Sequence, residues 1–389
     1  MSREDRFAFG RRAAFVASCF ALAWPIVGYP TALWVLRRRP RLTRPPTPLP
    51  TVTVIVPTYN EASRIVGRLE NLAACRYPDE ALDIIVVDSG SDDGTAERAV
   101  EYAATHLTPG VSVLREPERR GKAAAINLAL RAATGEVVVL TDAPTSFEPD
   151  AVIQVMSAFG DPAVGAATGY FDVTGEGDAL QREEQQFWRI RNTLRTLEAS
   201  LDATPFLQGE LCAVRRGLVV QLDEDSLADD MNVALQVRRG GHRVVVVPGA
   251  RFSERRTASL AELLETKSRR AAGGIQELVR FRPMMFRPRF GWFGMLILPS
   301  ALLYYIPVRV PALVVVAGGL ARALGASRPR VGTACAAAIV LAPIVVRHSA
   351  GARMALFNEW IFVQGWRRVL RRRMDVRWKQ ERSTRQPAQ

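Results

Sequence analysis

The sequence predicts an α/β domain with a parallel-rich sheet, flanked on both sides by transmembrane helices. Short strands and helical segments alternate through residues 51–150, as they do where helices connect parallel strands. The strands are continuously apolar, which is typical of strands that are buried on both faces of a sheet. Long uncharged runs lie before and after this domain, and they supply the membrane segments of the prediction.

Each strand of the predicted sheet is followed by a helix or by polar residues. The predicted strands are residues 52–56, 84–87, 111–114 and 137–140. Apolar residues recur at helical spacing after the first two strands, and a third helix is predicted over residues 122–133. Ligands of such sheets bind beyond the carboxyl ends of the strands. The polar segments at those ends are therefore the candidate site: Pro57–Glu61, Asp88–Thr95 and Asp142.

Composition excludes several classes of protein. The chain has 389 residues, of which 48% are hydrophobic and 23% are charged, so it can fold into two or three domains and is not disordered over most of its length. Its four cysteines form no CxxC pair, and its three histidines are far apart. These features argue against a disulfide scaffold and against a zinc or histidine-rich metal site.

The net charge of +13 indicates either nucleic acid or an anionic membrane surface as a partner. The position of the arginines decides between them. They cluster at the borders of the apolar runs, as at Arg11, Arg12 and residues 37–39. No nucleic-acid recognition motif is present, so the pattern favours a lipid surface and no nucleic-acid partner.

Residues 13–36 are predicted to be a transmembrane helix that follows a basic N-terminus at residues 1–12. The run contains 24 residues without a charge, and about 20 are enough to cross a bilayer. A cleaved signal peptide is the alternative, but the apolar core of such a peptide is only about 7–15 residues long. Residues 37–50 are rich in proline and arginine and are predicted to be a stiff linker.

Residues 286–366 are predicted to be a C-terminal membrane region with an interfacial helix and about two transmembrane segments. The apolar runs are residues 290–308, 310–321 and 331–346. The basic tail at residues 367–389 is predicted to be cytoplasmic, because basic residues favour that side. An even number of crossings would place the domain at residues 51–285 on the same side.

Six motifs occur in order along this domain. They are PTYNE at 57–61, VVDSGSDDGT at 86–95, RGKAAAINLAL at 120–130, TDAPTSFEPD at 141–150, QGELCAVRR at 208–216 and ADDMNVALQVRRGGHRVVVVPGA at 228–250. The chain thereby resembles the family 2 inverting glycosyltransferases of GT-A fold, and within them the membrane-bound branch that includes cellulose and hyaluronan synthases. The resemblance implies transfer of a sugar from a nucleotide sugar, with UDP-sugar expected, to a lipid or glycan acceptor at a bacterial plasma membrane.

On the donor side, Asp88 follows the second strand, where its carboxylate can accept hydrogen bonds from a base or ribose. A turn cap is the alternative role. The resemblance implies that Asp88 contacts uracil and that Pro57, Tyr59 and Glu61 hold the nucleotide. Lys122 begins a predicted helix, and an ammonium beside the N–H groups of a helix start is suited to a diphosphate.

Asp142 occupies the place of the family's DxD-like element, which holds a divalent cation against the diphosphate. The resemblance therefore implies Asp142 as a metal ligand and Mg²⁺ or Mn²⁺ as the cofactor. The third position of the element is Pro144, which has no oxygen donor in its side chain. This departure puts the metal requirement in doubt.

On the acceptor side, Asp229 and Asp230 begin an amphipathic helix, where a pair of acidic residues also suits the helix dipole. The resemblance implies that Asp230 is the general base. It assigns to the acceptor and diphosphate side Gln208, Gly209, Glu210, Asp229, Arg269 and Arg270. The two arginines stand where processive synthases have QxxRW, but the tryptophan position is Ala271. The absence of this tryptophan weakens the expectation of processive transfer. It also leaves a non-catalytic nucleotide-sugar-binding scaffold as the alternative function.

Overall fold

The computed structural model describes residues 3–38, 44–173, 179–219, 221–254, 260–323 and 350–371. At its centre is an eight-stranded mixed sheet with the order β3-β2-β1-β4-β7-β6-β8-β5. The strands are β1 (Val52–Thr58), β2 (Leu82–Asp88), β3 (Gly110–Arg115), β4 (Val137–Leu140), β5 (Thr145–Phe147), β6 (Val164–Val173), β7 (Cys212–Arg215) and β8 (Arg243–Glu254).

Helices cover both faces of this sheet and continue beyond it at both ends of the chain. In the described residues they are α1 (Arg3–Ala23), α2 (Tyr29–Leu36), α3 (Ile65–Ala73), α4 (Thr95–Thr105), α5 (Lys122–Ala132), α6 (Ala151–Met156), α7 (Ala179–Leu201), α8 (Asp229–Arg239), α9 (Leu260–Arg280), α10 (Leu298–Tyr305), α11 (Arg309–Ala323) and α12 (Ala350–Leu370).

The four predicted strands form the parallel half of the sheet. β1 pairs with β2 and β4, and β2 pairs with β3, all in parallel. Ile55 packs into one core, whereas Val54 and Val56 pack into the other, and all three are fully buried. Because successive side chains of a strand point to opposite faces, burial of both faces explains the apolar run at residues 54–56 of β1.

The other half of the sheet changes direction at β7, which runs antiparallel to both β4 and β6. β5 is also antiparallel to its neighbour β8, whereas β6 and β8 are parallel. The reversal places the chain just before β7 beside the carboxyl end of β4, since antiparallel neighbours enter and leave at the same edge. The predicted α/β class with a parallel-rich sheet is confirmed, and the mixed half adds the second wall of the site.

The N-terminal helix spans Ala8–Leu36, 29 residues, and it is the one helix of the described segments that is long and apolar enough to cross a membrane. It begins before the predicted start at residue 13 and includes Arg11 and Arg12. A π-helical turn at Trp24–Gly28 separates α1 from α2; Pro25 lies in this turn and has no N–H to donate.

The predicted C-terminal membrane region is described only in part. Its shorter apolar helices are Phe293–Tyr305 and Pro311–Ala323, both below the roughly 20 residues needed to cross a bilayer. The run at residues 331–346 and most of the basic tail, residues 372–389, lie outside the described residues. The number of crossings there remains a prediction.

Side-chain hydrogen bonds from Tyr29 and Trp24 join the N-terminal helix to other helices of the described part of the chain. The Tyr29 hydroxyl donates to Glu198 Oε1 at 2.6 Å, and Trp24 Nε1 donates to Ser300 Oγ at 3.1 Å. Glu198 is buried, and its Oε2 accepts a hydrogen bond from Thr204 at 2.7 Å. The helix is therefore docked on α7 through a buried polar contact.

Replacing Tyr29 by phenylalanine is expected to lower the free energy of unfolding by about 1–3 kcal/mol, because it leaves a buried carboxyl oxygen without its donor. Thermal unfolding in detergent would measure the change. Phe9→Leu, at an exposed position of the same helix, is the control and should unfold like the wild type. Equal stability of Tyr29→Phe and the wild type would contradict this role of the hydrogen bond.

Candidate active site

The ends of β1 and β2 form the first part of the site. Asp88 ends β2 and is only 3% exposed. Its Oδ2 accepts a hydrogen bond from the backbone N–H of Ser91 at 3.2 Å, whereas its buried Oδ1 has no hydrogen-bond partner among the described residues. Buried polar atoms are nearly always paired, so Oδ1 is available to a donor group of a ligand.

The other residues predicted for the nucleotide lie beside Asp88. Pro57 is buried in β1. The guanidinium of Arg119 lies 3.6 Å from the centre of the Tyr59 ring. This cation–π contact helps to hold Tyr59 in place beside Asp88. Glu61 is buried and accepts a hydrogen bond from Arg64 at 2.9 Å.

Lys122 joins two acidic residues from different parts of the chain. Its Nζ lies 2.8 Å from Asp142 Oδ1 and 3.1 Å from Asp229 Oδ2. Gly121 has φ +110°, a conformation that glycine adopts at low cost, and it turns the chain into α5. The three side chains are 22%, 33% and 15% exposed, so a ligand can reach them.

A buried hydrogen-bonded link holds Asp142 against the loop that precedes β7. The hydroxyl of Thr141 donates to the carbonyl of Glu210 at 2.6 Å and accepts from Arg68 Nη2 at 2.7 Å. Arg68 is 2% exposed, and burial lowers the pKa of its guanidinium to about 9. Arg68 was not predicted as a site residue, since its position on α3 carries no motif.

The loop at residues 208–210 lies over this cluster. A Cβ atom built on Gly209 would be 3.3 Å from Lys122 Nζ and 4.0 Å from Asp230 Cβ. A side chain at this position would therefore crowd the ammonium group. Arg270 Nη2 lies 3.9 Å from Glu210 Oε1, and Arg269 is half-buried one position earlier on α9.

Asp230 lies in the first turn of α8, next to Asp229. Burial and the neighbouring charge of Asp229 raise the pKa of Asp230 to about 7, against the opposing effect of Lys122. A carboxylate with a pKa near the working pH is suited to accept a proton in a reaction. This carboxylate is therefore the best candidate for a general base in the described site.

The charges around Lys122 balance one another. Desolvation alone would lower the pKa of Lys122, but Asp142 and Asp229 raise it above its ordinary value. Desolvation raises the pKa of Asp142, and Lys122 opposes that effect. The lysine remains a cation, which suits it to an anionic ligand such as a diphosphate.

The donor set for a metal ion is small. No group of three or more histidine, cysteine or acidic side chains with metal-binding geometry occurs in the described residues. Asp142 is the ligand predicted from the sequence, and Pro144 contributes no side-chain oxygen. Mg²⁺ is commonly held by one or two carboxylates together with substrate phosphates. Asp142 therefore fits a divalent cation that is completed by a diphosphate.

Comparison with known proteins identifies the domain that carries this site. Residues 53–222 match the family model described as glycosyl transferase family 2. The chain carries a family 2 glycosyltransferase domain. This match confirms the predicted family, and the mixed α/β sheet confirms the predicted GT-A fold. The glycosyltransferase domain also accounts for the order of the six sequence motifs, five of which begin inside it.

Named relatives of this glycosyltransferase include two bacterial enzymes. It is 26% identical over 234 residues to a poly-beta-1,6-N-acetyl-D-glucosamine synthase of Staphylococcus aureus, covering 59% of this chain and 56% of that one. It is 28% identical over 219 residues to an N-acetylglucosaminyltransferase of Mesorhizobium japonicum, covering 52% of this chain and 51% of that one. The chain thus spans about half the length of these curated relatives.

A solved structure matches more of the chain. It is a mannosyltransferase from Pyrobaculum calidifontis in complex with GDP-mannose and Mn²⁺, with 29% sequence identity and a TM-score of 0.73. The match covers 92% of this chain and 99% of that chain. The similarity therefore extends beyond the family 2 domain into the flanking helices.

Proposed function

We propose that this glycosyltransferase moves a sugar from a nucleotide sugar, specifically a UDP-sugar, to a hydroxyl group of a lipid or glycan acceptor with inversion at the anomeric carbon. One observation carries the proposal. A carboxylate with a pKa near 7, Asp230, adjoins the cluster of Lys122, Asp142 and Asp229. A base and an anion site are thereby placed side by side.

The donor would lie across the ends of β1, β2 and β4. The unpartnered Oδ1 of Asp88 would accept a hydrogen bond from the N–H group of the base, with Pro57, Tyr59 and Glu61 beside it. Lys122 would bind the diphosphate. Asp142 would hold a divalent cation, which offsets negative charge on the departing diphosphate when it is bound.

The proposed reaction is a single displacement. Asp230 takes the proton of the acceptor hydroxyl as the acceptor oxygen forms a bond to the anomeric carbon. The bond from that carbon to the diphosphate oxygen breaks, and its electron pair leaves with the nucleoside diphosphate. Attack opposite the leaving group inverts the configuration. Gln208, Gly209, Glu210, Arg269 and Arg270 would border the acceptor and the diphosphate.

The setting proposed for this reaction is the cytoplasmic side of a bacterial plasma membrane. Its support is the helix Ala8–Leu36, which is docked on the catalytic domain through Tyr29 and on α10 through Trp24. Nucleotide sugars are present in the cytoplasm, and the basic segments at the membrane borders agree with that orientation.

The test is nucleotide release by the full chain in nanodiscs, with a panel of UDP- and GDP-sugars and membrane lipid extract. GDP-sugars belong in the panel because the Pyrobaculum mannosyltransferase holds GDP-mannose. Release of UDP that requires one sugar and is lost in Asp230→Asn is the expected result. Nucleotide binding without release in several acceptor extracts would instead indicate the non-catalytic scaffold.

Adding a carboxylate at position 144 is expected to strengthen cation binding. In Pro144→Asp, the Mn²⁺ concentration for half-maximal activity should fall about tenfold, equivalent to ~1.4 kcal/mol, because the new oxygen ligand lies two residues after Asp142. Pro144→Ala is the matched control and should resemble the wild type. Mn²⁺ binding in the presence of UDP, followed by electron paramagnetic resonance, gives a readout without turnover. Unchanged binding in Pro144→Asp would contradict this placement of the cation.

A further inference from the structure

Two arginines of α7 lie one helical turn apart on the acceptor side of the site. Arg195 is 4% exposed. In the amide orientation that satisfies both groups, Gln208 Oε1 accepts hydrogen bonds from Arg195 Nη1 at 2.7 Å and Nη2 at 3.1 Å. The buried Nε of Arg195 has no partner in the described part of the chain. Arg191 is half-buried at the preceding turn.

One buried carboxyl group of α7, Glu198, counters the charge of these two arginines only in part. Its charge raises the pKa of Arg195, and both arginines lower the pKa of Glu198, so two guanidinium groups share one carboxyl group of this helix. Burial and the charge of Arg191 lower the pKa of Arg195 to about 10. Two guanidinium groups with one shared carboxyl group on α7, and a buried Nε of Arg195 that has no partner among the described residues, leave hydrogen-bond donors for an anion from outside the chain.

The surroundings of Arg191 indicate what kind of molecule carries that anion. Its guanidinium lies 4.6 Å from the centre of the Phe206 ring and 5.8 Å from that of Tyr304. Phe206 and Leu194 pack against the apolar core that includes residues of α10 and of the N-terminal helix. One end of this region therefore meets the loop at 208–210, and the other meets the apolar helices.

Arg195 also interacts electrostatically with carboxylates of the candidate active site. Glu198, Glu210 and Asp230 all raise the pKa of Arg195, although burial and the charge of Arg191 outweigh them. Arg195 thus lies close enough to Asp230, the proposed base, for the charge of Asp230 to affect its pKa. At the same time it is hydrogen-bonded to Gln208. An acceptor that reaches Asp230 along this route would pass the two guanidinium groups.

We infer that Arg191 and Arg195 bind the phosphate of an amphipathic acceptor, whose sugar hydroxyl reaches Asp230 and whose apolar chain leaves along Phe206 and Tyr304. This inference rests on the proposed function and specifies its acceptor as a phosphate-linked glycolipid. The transfer step is unchanged. The acceptor O–H proton goes to Asp230, the oxygen bonds to the anomeric carbon, and the nucleoside diphosphate leaves; the acceptor phosphate keeps all its bonds.

The experiment compares two acceptors that differ only in the phosphate: dodecyl phospho-N-acetylglucosamine and dodecyl N-acetylglucosaminide. The full chain in detergent would be assayed with the donor found in the nucleotide-release panel. The wild type should use the phosphate-linked acceptor with the lower KM. In Arg191→Met that KM should rise at least about tenfold, because the variant loses a charged hydrogen-bond donor to the phosphate, with a much smaller change in the donor KM.

Matched variants separate charge from packing. Arg191→Lys keeps a cation and should recover part of the lost affinity, whereas Arg189→Met removes an exposed arginine from the same helix and should behave like the wild type. Equal use of both acceptors by the wild type would overturn the inference. A rise in the donor KM of Arg191→Met, without one in the acceptor KM, would also overturn it and assign the arginine to the donor diphosphate.

A binding measurement keeps the inference testable without turnover. Calorimetry with the dodecyl phospho-sugar should show binding to the wild type and at least about tenfold weaker binding to Arg191→Met. Equal binding by both proteins, with matched thermal unfolding, would overturn the inference. Failure of the proposed function has a different signature, because no donor would then yield nucleotide release even if the phosphate-linked probe binds.

Discussion

Replacing Asp230 by asparagine is expected to lower kcat for sugar transfer by roughly a hundred- to ten-thousandfold. Asparagine is close in size to aspartate, but its amide cannot take the proton of the acceptor hydroxyl. The donor KM should change far less than kcat, because the proposed diphosphate ligand is Lys122. Steady-state kinetics with the donor and acceptor varied in turn would measure both effects.

The pH profile distinguishes a base from a merely structural carboxylate. The active form of Asp230 is deprotonated, so kcat/KM of the wild type should rise with pH and level off above about 7. Since the charge of Asp229 raises the pKa of Asp230, Asp229→Asn should move this rise to lower pH. Transfer by Asp230→Asn at the wild-type rate, with the same profile, would exclude the proposed base.

Removal of the Lys122 ammonium in Lys122→Met should lower kcat/KM for the donor by about a hundredfold or more, comparable with the loss of one donor group that stabilises a developing negative charge. The substitution also leaves Asp142 and Asp229 without their shared cation. Because Lys122 lowers the pKa of Asp230, the pH profile should shift upward, opposite to the shift in Asp229→Asn. Donor-dependent kinetics between pH 5 and 9 would show both changes.

Arg120→Met is the control for this loss of charge. Arg120 is exposed, and its ion pair is with Glu224 at the surface, so its removal should leave the kinetics near those of the wild type. A Lys122→Met variant with an unchanged donor KM and an unchanged pH profile would show that the diphosphate is bound elsewhere.

The parallel half of the sheet could be predicted from the sequence because its signal is local. A strand buried on both faces is apolar on both faces, and residues 54–56 and 137–140 satisfy this condition. The third helix, predicted over 122–133, spans Lys122–Ala132. The reversal at β7 has no such signal, because strand direction is set by contacts between distant segments.

The candidate site divides in the same way. Asp88, Lys122 and Asp142 follow strands or begin a helix, so their position makes them candidates before any resemblance is considered. Arg68 and Arg195 act through buried contacts made across the fold, and in a chain with only three lysines among its 52 basic residues an arginine carries little information by itself. Only the structure shows that these two arginines are buried, and this burial distinguishes them from the solvated majority of the arginines. The roles of all these residues in catalysis remain predictions.

The contact between the N-terminal helix and α7 has a consequence for the order of folding. Tyr29 is synthesised 169 residues before Glu198, and Trp24 is synthesised 276 residues before Ser300. At a translation rate of about 5–20 residues per second, these partners are synthesised roughly ten to fifty seconds after the helix. If the helix enters the bilayer first, as its position in the chain favours, the catalytic domain completes its folding at the membrane surface, and the ribosome delivers the enzyme already in place.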